Sequence, residues 1–131
     1  MKLRLRGNSV RVRMDQQDLA SLLISGRALD MVRFGPGPDR TFTYEVKVGR
    51  APRNRPQVEY IGGHLVITID RQCAEDWSSS DRVGFDHRQV AGDGSGIRVI
   101  VEKDFACLDR PAGEESDDAW AFPNPTSPAT C

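Results

Sequence analysis

Val10 to Asp15 reads VRVRMD, and Leu65 to Asp70, which follows 55 residues later, reads LVITID. Each segment has the length and alternation of a β-strand and ends on an aspartate that can cap a helix. The same offset of 55 places Gly7 on Gly62, so that a glycine turn precedes both segments. The pattern predicts two copies of one structural unit in tandem, followed by a tail.

Each unit is expected to fold as ββαββ. In the first unit, a turn at residues 7–9 joins two alternating segments, and Asp15 followed by Asp18 favours a helix N-terminus. Gly26 is a suitable stop for that helix. The elements expected in this unit are strands at 2–6 and 10–14, a short helix bearing Leu19, Leu22 and Leu23, and strands at 31–34 and 41–48.

The second unit repeats this plan. Asp70 is expected to cap a helix that carries Trp77 in the core and ends at residues 78–80. Asp86 and His87, close to the glycine-rich sequence AGDGSG, are expected in an exposed loop. The strands expected in this unit are 57–60, 64–69, 83–85 and 96–101.

Neither unit alone has enough apolar residues for a core, so the two are expected to form a single α+β domain with pseudo-two-fold symmetry. The domain would be an antiparallel-rich sheet or barrel with two short helices. The expected boundaries are 1–108 for the domain, with repeat 1 at about 1–49, a linker at 50–56 and repeat 2 at about 57–104, and 109–131 for an extended acidic tail.

Charge is divided unevenly along the chain. Residues 1–55 carry 12 Lys and Arg against 5 Asp and Glu, whereas residues 56–131 carry 6 against 14. Such asymmetry indicates a charged partner or docking of one half on the other. Because the two signs nearly cancel, pairing within the chain or within a homodimer is the simpler interpretation.

Composition also limits the compartment. No apolar run approaches the ~20 residues that span a bilayer, and the charged N-terminus lacks the apolar core of a secretory signal. The three cysteines, Cys73, Cys107 and Cys131, follow no motif spacing, which predicts free thiols in a reducing compartment. The expected location is the cytosol, without membrane association.

A basic hairpin face is the first candidate site. Its members alternate along the first two strands and comprise Lys2, Arg4, Arg6, Arg11 and Arg13. These cations could bind an acidic protein surface, neutralise phosphates, or simply keep a sheet edge solvated. Nucleic acid is disfavoured because no aromatic residue that could stack on bases interrupts the pattern.

The tail supplies a complement to this face. Its acidic members are Glu114, Glu115, Asp117 and Asp118, and they are followed by Trp120 and Phe122. An acidic tail without apolar residues would be solvated, whereas two aromatic residues predict anchoring on the protein surface. The leading hypothesis is therefore that the tail docks on the basic hairpin, within one chain or across a dimer.

A metal site is the main alternative. Asp104 and Cys107 could bind a transition metal, with His64 or His87 as nitrogen ligands, but no C-x-x-C or H-x-x-H spacing supports the set. No cofactor is predicted, although a metal remains open. No phosphate-binding loop or nucleophile motif is found, so an enzymatic role is the less favoured interpretation.

Several segments carry a family resemblance. KLRLRGNSVRVRM at residues 2–14, LVITIDRQCAEDW at 65–77, and VEKDFACLDR with FPNP at 101–125 resemble a small bacterial family of unknown function, which implies no activity. GGHLVITIDRQCAEDW at 62–77 is also similar to the swapped-hairpin DNA-binding regulators of the AbrB type. That resemblance implies nucleic-acid binding, but this unit is acidic where those proteins are basic.

Together these features predict an uncharacterised cytosolic protein that acts as a non-enzymatic binding or regulatory module. Its expected partner is another protein or a second copy of the chain. A metal-binding protein or metalloenzyme centred on Cys107 is the first alternative, and an AbrB-like nucleic-acid-binding protein is the second.

Overall fold

The computed structural model describes residues 1–106 and 119–125. Within these ranges the chain forms strands and two helices, with one short 3₁₀ turn at Pro38–Arg40. The elements are β1 (Lys2–Arg6), β2 (Ser9–Met14), α1 (Gln16–Ser25), β3 (Arg27–Arg33), β4 (Thr41–Val48), β5 (Gln57–Ile61), β6 (His64–Ile69), α2 (Arg71–Ser78), β7 (Gly84–Val90) and β8 (Gly96–Lys103). The predicted α+β class is confirmed.

Both helices begin at the predicted aspartates. Asp15 Oδ1 accepts a hydrogen bond from the Asp18 amide at 2.9 Å, and Asp18 Oδ2 accepts one from the Asp15 amide at 3.0 Å, which completes a capping box. Asp70 Oδ2 accepts a hydrogen bond from the Cys73 amide at 3.1 Å. Helix α1 ends at Gly26, whose φ of 85° lies in the left-handed region that favours glycine.

The strands form two four-stranded sheets. Sheet 1 has the order β1–β2–β8–β7, and sheet 2 has the order β3–β4–β6–β5. The two central pairs, β2–β8 and β4–β6, are parallel, and the four hairpin pairs are antiparallel. The predicted barrel is wrong, because each sheet combines one hairpin from each half of the chain and ends on two edge strands.

One hydrophobic cluster joins the inner faces of both sheets to both helices. Trp77 is fully buried in it, packs edge-on against Phe85 at a centroid distance of 5.4 Å, and donates its indole N–H to the Val83 carbonyl at 3.1 Å. Trp77 is therefore a core residue, as predicted. A buried Trp with its N–H bonded contributes a large apolar area without leaving an unsatisfied donor.

Strand β7 differs most from expectation. Asp86 and His87 were expected in a loop, but they lie in β7, which pairs with β8 from Gly84 to Val90. Its sequence, GFDHRQV, has few apolar residues because only one of its faces meets the core. Strand β3 likewise begins at Arg27, four residues before the predicted start.

The docked segment, residues 119–125, packs where β8 ends and α1 begins. Phe122 donates its amide to the Asp104 carbonyl at 2.7 Å and accepts from the Ala106 amide at 2.7 Å, and the Gln16 amide donates to the Trp120 carbonyl at 2.9 Å. Phe122 packs against the core, whereas Trp120 is 52% exposed. None of the helices in the described ranges has the length and apolarity to cross a bilayer.

Candidate functional site

The outer face of sheet 1 is the candidate site. Alternation along β2 directs Val10, Val12 and Met14 into the core and therefore turns Arg11 and Arg13 outward. The register places these arginines beside outward residues of β1, β8 and β7. We call this surface the arginine face, and its cations are Lys2, Arg4, Arg6, Arg11, Arg13, Arg88 and Arg98.

A cavity of about 290 Å³ crosses this face. Its lining residues, which define the arginine groove, are Arg4, Arg6, Ser9, Arg11, Arg98 and Ile100. Ile100 lies on the outward side of a central strand yet is only 6% exposed. The aliphatic parts of long arginine side chains can cover such a residue while their charged ends stay in solvent. The groove thus combines an apolar residue with guanidinium walls.

Carboxylates neutralise one side of the face. Arg13 Nε lies 3.0 Å from Glu102 Oε1, and Arg11 Nε lies 3.6 Å from the same oxygen. Lys2 Nζ lies 2.8 Å from Asp104 Oδ2. These pairs leave two of the five predicted cations to be explained.

Arg98 has a carboxylate partner on the neighbouring strand. Its Nε donates to Asp86 Oδ1 at 2.9 Å, and this hydrogen bonding holds the pKa of the Asp86 carboxyl below its usual value. The pKa of Arg98 is raised for the same reason. Arg98 is thus oriented towards β7 by a charged side-chain hydrogen bond.

Arg4 and Arg6 are different from the other cations. Both are exposed, and neither has an ion pair or side-chain hydrogen bond within the described part of the chain. Arg4 lies directly opposite Arg11 in the β1–β2 register. Like charges in directly opposed positions destabilise a sheet, so an anion in the groove would relieve this repulsion.

The structure unites the five predicted basic residues with two that sequence reasoning missed. Arg88 and Arg98 come from the last hairpin, and they reach this face only because β8 pairs with β2 across the two halves. Five guanidinium donors per arginine suit bidentate binding of carboxylates or phosphates. The arrangement can therefore bind an anionic group, and the docked segment lies beyond its Lys2 end.

The remaining predicted site residues are only partly described. The tail residues Glu114, Glu115, Asp117 and Asp118, and also Cys107, lie outside the described residues. Asp104 is 5% exposed and pairs with Lys2. Among the described residues, no group of three metal-binding side chains lies together. Metal binding at Asp104 and Cys107 stays a prediction.

Fold and surface together define a small α+β protein that carries a cationic groove on one sheet. The chain belongs to a family of unknown function, DUF7009, whose sequence pattern matches residues 1–126. This confirms the predicted membership of an uncharacterised family. No curated protein and no solved structure matches the sequence.

Proposed function

We propose that this protein is a binding module whose arginine groove takes an acidic peptide segment. The first occupant is the acidic loop of its own chain, which we define by Glu114, Glu115, Asp117 and Asp118, and an acidic partner protein displaces it. The observation that carries the proposal is the unpaired Arg4 opposite Arg11 in a groove with no described acidic lining residue.

Charge supports an acidic occupant. The arginine face presents seven cations against two outward carboxylates, Asp86 and Glu102. Arginine–carboxylate hydrogen bonds are about twice as strong as neutral ones. The face offers no aromatic platform for bases, which favours a peptide over single-stranded nucleic acid.

Chain length supports the intramolecular form. Twelve residues, 107–118, connect Ala106 to the docked segment. Half of them, extended at ~3.3 Å per residue, reach about 20 Å. Ile100 precedes Asp104 by four residues, a distance of about 13 Å along an extended chain. The acidic loop is therefore long enough to lie over the groove.

The test neutralises the acidic loop and keeps the docked segment, since deleting residues 109–131 would also remove Phe122 from the core. The variant is E114Q/E115Q/D117N/D118N. We expect its affinity for heparin to rise about tenfold, the change expected when one charge-assisted contact is no longer competed. We also expect a peptide of residues 112–119 to bind this variant when added in trans.

Two controls separate the groove from net charge. D39N/E59Q/E75Q/D76N removes four exposed acids elsewhere and should raise heparin affinity less. Adding R4Q/R11Q to the loop variant should abolish both gains. Equal gains in the two four-acid variants would contradict the proposal, as would steep, salt-dependent duplex DNA binding without peptide binding. Size-exclusion chromatography then distinguishes docking within a chain from docking across a dimer.

We also propose that the two halves are copies of one ββαββ unit. The β2–β8 pair Val12–Val101 and the β6–β4 pair Ile67–Val46 are related by the same 55-residue offset, applied in opposite directions. The capping bonds from the Asp18 and Cys73 amides are also 55 residues apart. On this proposal the arginine face has a structural counterpart on the outer face of sheet 2.

A further inference from the structure

The outer face of sheet 2 carries a second cavity, of about 460 Å³. It lies where the connection between β3 and β4 meets the turn between β5 and β6. Its lining residues are Met31, Arg33, Gly37, Pro38, Thr41, Thr43, Gly62, Gly63 and His64. The register sets Met31, Thr43 and His64 side by side across three strands.

Two hydrogen-bond donors in this cavity lack partners. The side chains of Arg33 and Thr43 make no hydrogen bond or ion pair within residues 1–106 and 119–125. Thr41, by contrast, donates its hydroxyl to the Gly37 carbonyl at 3.2 Å. A guanidinium and a hydroxyl on adjacent strands are the groups that proteins use to hold an oxyanion.

His64 is held in place by a buried acid. Its Nε2 lies 3.0 Å from Glu45 Oε1, and the Glu45 side chain is only 7% exposed. The other carboxylate oxygen of Glu45 lies 3.8 Å from Arg27 and has no hydrogen bond. This pairing fixes the imidazole as one wall of the cavity and leaves its Nδ1 edge for contact with a ligand.

The backbone keeps the cavity open on its glycine side. Gly63 adopts a φ of 80°, and a Cβ there would stand 3.0 Å from the Thr41 carbonyl oxygen. The Gly63 carbonyl accepts the Thr43 amide at 2.8 Å, which fastens the turn to β4. Met31, 49% exposed, and Pro38 supply apolar surface beside the polar groups.

We propose that this cavity binds a small amphipathic molecule with an oxyanion head, a carboxylate or a phosphate. Arg33 and Thr43 hold the oxyanion, His64 forms the side wall, and a short apolar body packs on Met31 and Pro38. The proposal does not depend on the arginine groove, because the two cavities share no residue.

The test uses NMR of the two histidine rings, with n-butyrate, n-butyl phosphate and n-butanol as probes. The ring signals of His64 should shift saturably with at least one of the two anions, and those of His87, on sheet 1, should not. Whichever anion binds more tightly identifies the head group. Butanol should shift the His64 signals little, because it lacks the charge.

Matched variants locate the site. R33Q should weaken binding of the preferred anion about tenfold, the loss expected for one charge-assisted hydrogen bond. K47Q removes the same charge from another exposed position on this face and should leave the affinity unchanged, as should R4Q/R11Q in the arginine groove. Absence of a saturable His64 shift with both anions, or equal weakening by R33Q and K47Q, would overturn the proposal.

Discussion

The outer faces of the two sheets share a strand arrangement but differ in chemistry. Each consists of two hairpins joined by a central parallel pair. Positions 55 residues apart pair Arg4 with Glu59, Arg11 with Val66, Thr43 with Arg98, and Glu45 with Ile100. The comparison teaches that apolar inner residues maintain the strand order, which leaves the outer positions free to form two unrelated sites.

The central positions show the contrast most clearly. Ile100 and Glu45 are each 6% exposed, although both lie on outward faces. Ile100 lines the arginine groove, whereas Glu45 contacts His64. An apolar group beneath guanidinium groups excludes water and strengthens their attraction for an anion, because the local dielectric constant falls.

Replacing Ile100 with alanine should have the largest effect. We expect a loss of about 2–3 kcal/mol in the free energy of unfolding, because a buried Ile leaves a cavity that the sheet cannot close. Val66, the half-exposed counterpart of Arg11, is the control, and V66A should cost about 1 kcal/mol. Urea denaturation measures both. Similar costs for the two variants would show that Ile100 is not packed beneath the arginines.

Introducing arginines on sheet 2 tests whether the faces are equivalent. E59R/V66R places arginines at the counterparts of Arg4 and Arg11, and we expect heparin affinity to rise about threefold to tenfold. E75R/S79R changes the net charge equally on α2 and is the control. If both variants gain the same affinity, the arrangement of the sheet contributes nothing and only charge matters.

The smallest effect is expected at Asp86. D86N frees Arg98 from its carboxylate, so heparin affinity should rise no more than about twofold at an exposed site. Because the fold lowers the pKa of Asp86, its stabilising contribution is present above the ordinary carboxyl pKa and is lost as the pH falls through the lowered value. D86N should therefore be slightly less stable than the native protein at neutral pH, and this difference should vanish in acid.

Local features of the fold could be predicted from the sequence. Alternation identified β1, β2 and β6, and the aspartates at 15 and 70 gave the helix starts, because these signals act within a few residues. The basic hairpin face could be predicted for the same reason. Its residues lie on two strands joined by one turn.

Features that depend on distant pairing could not be predicted. Arg98 joins the arginine face only because β8 pairs with β2, and no local pattern specifies that partner. The Glu45–His64 pair arises in the same way from the β4–β6 pairing. Strand β7 was missed because its outward residues are polar and its strand identity derives from its neighbour.

The docked segment has a consequence for competition. Phe122 and Ala106 are joined by a 2.7 Å hydrogen bond, so both ends of the twelve-residue connection are held at one point beside sheet 1. A peptide confined by so short a tether meets its own groove at an effective concentration of about a millimolar. A partner present at micromolar levels must therefore bind roughly a thousandfold more tightly than the loop does in trans in order to replace it. The tether thus sets a threshold that weak acidic proteins in a crowded cell do not reach.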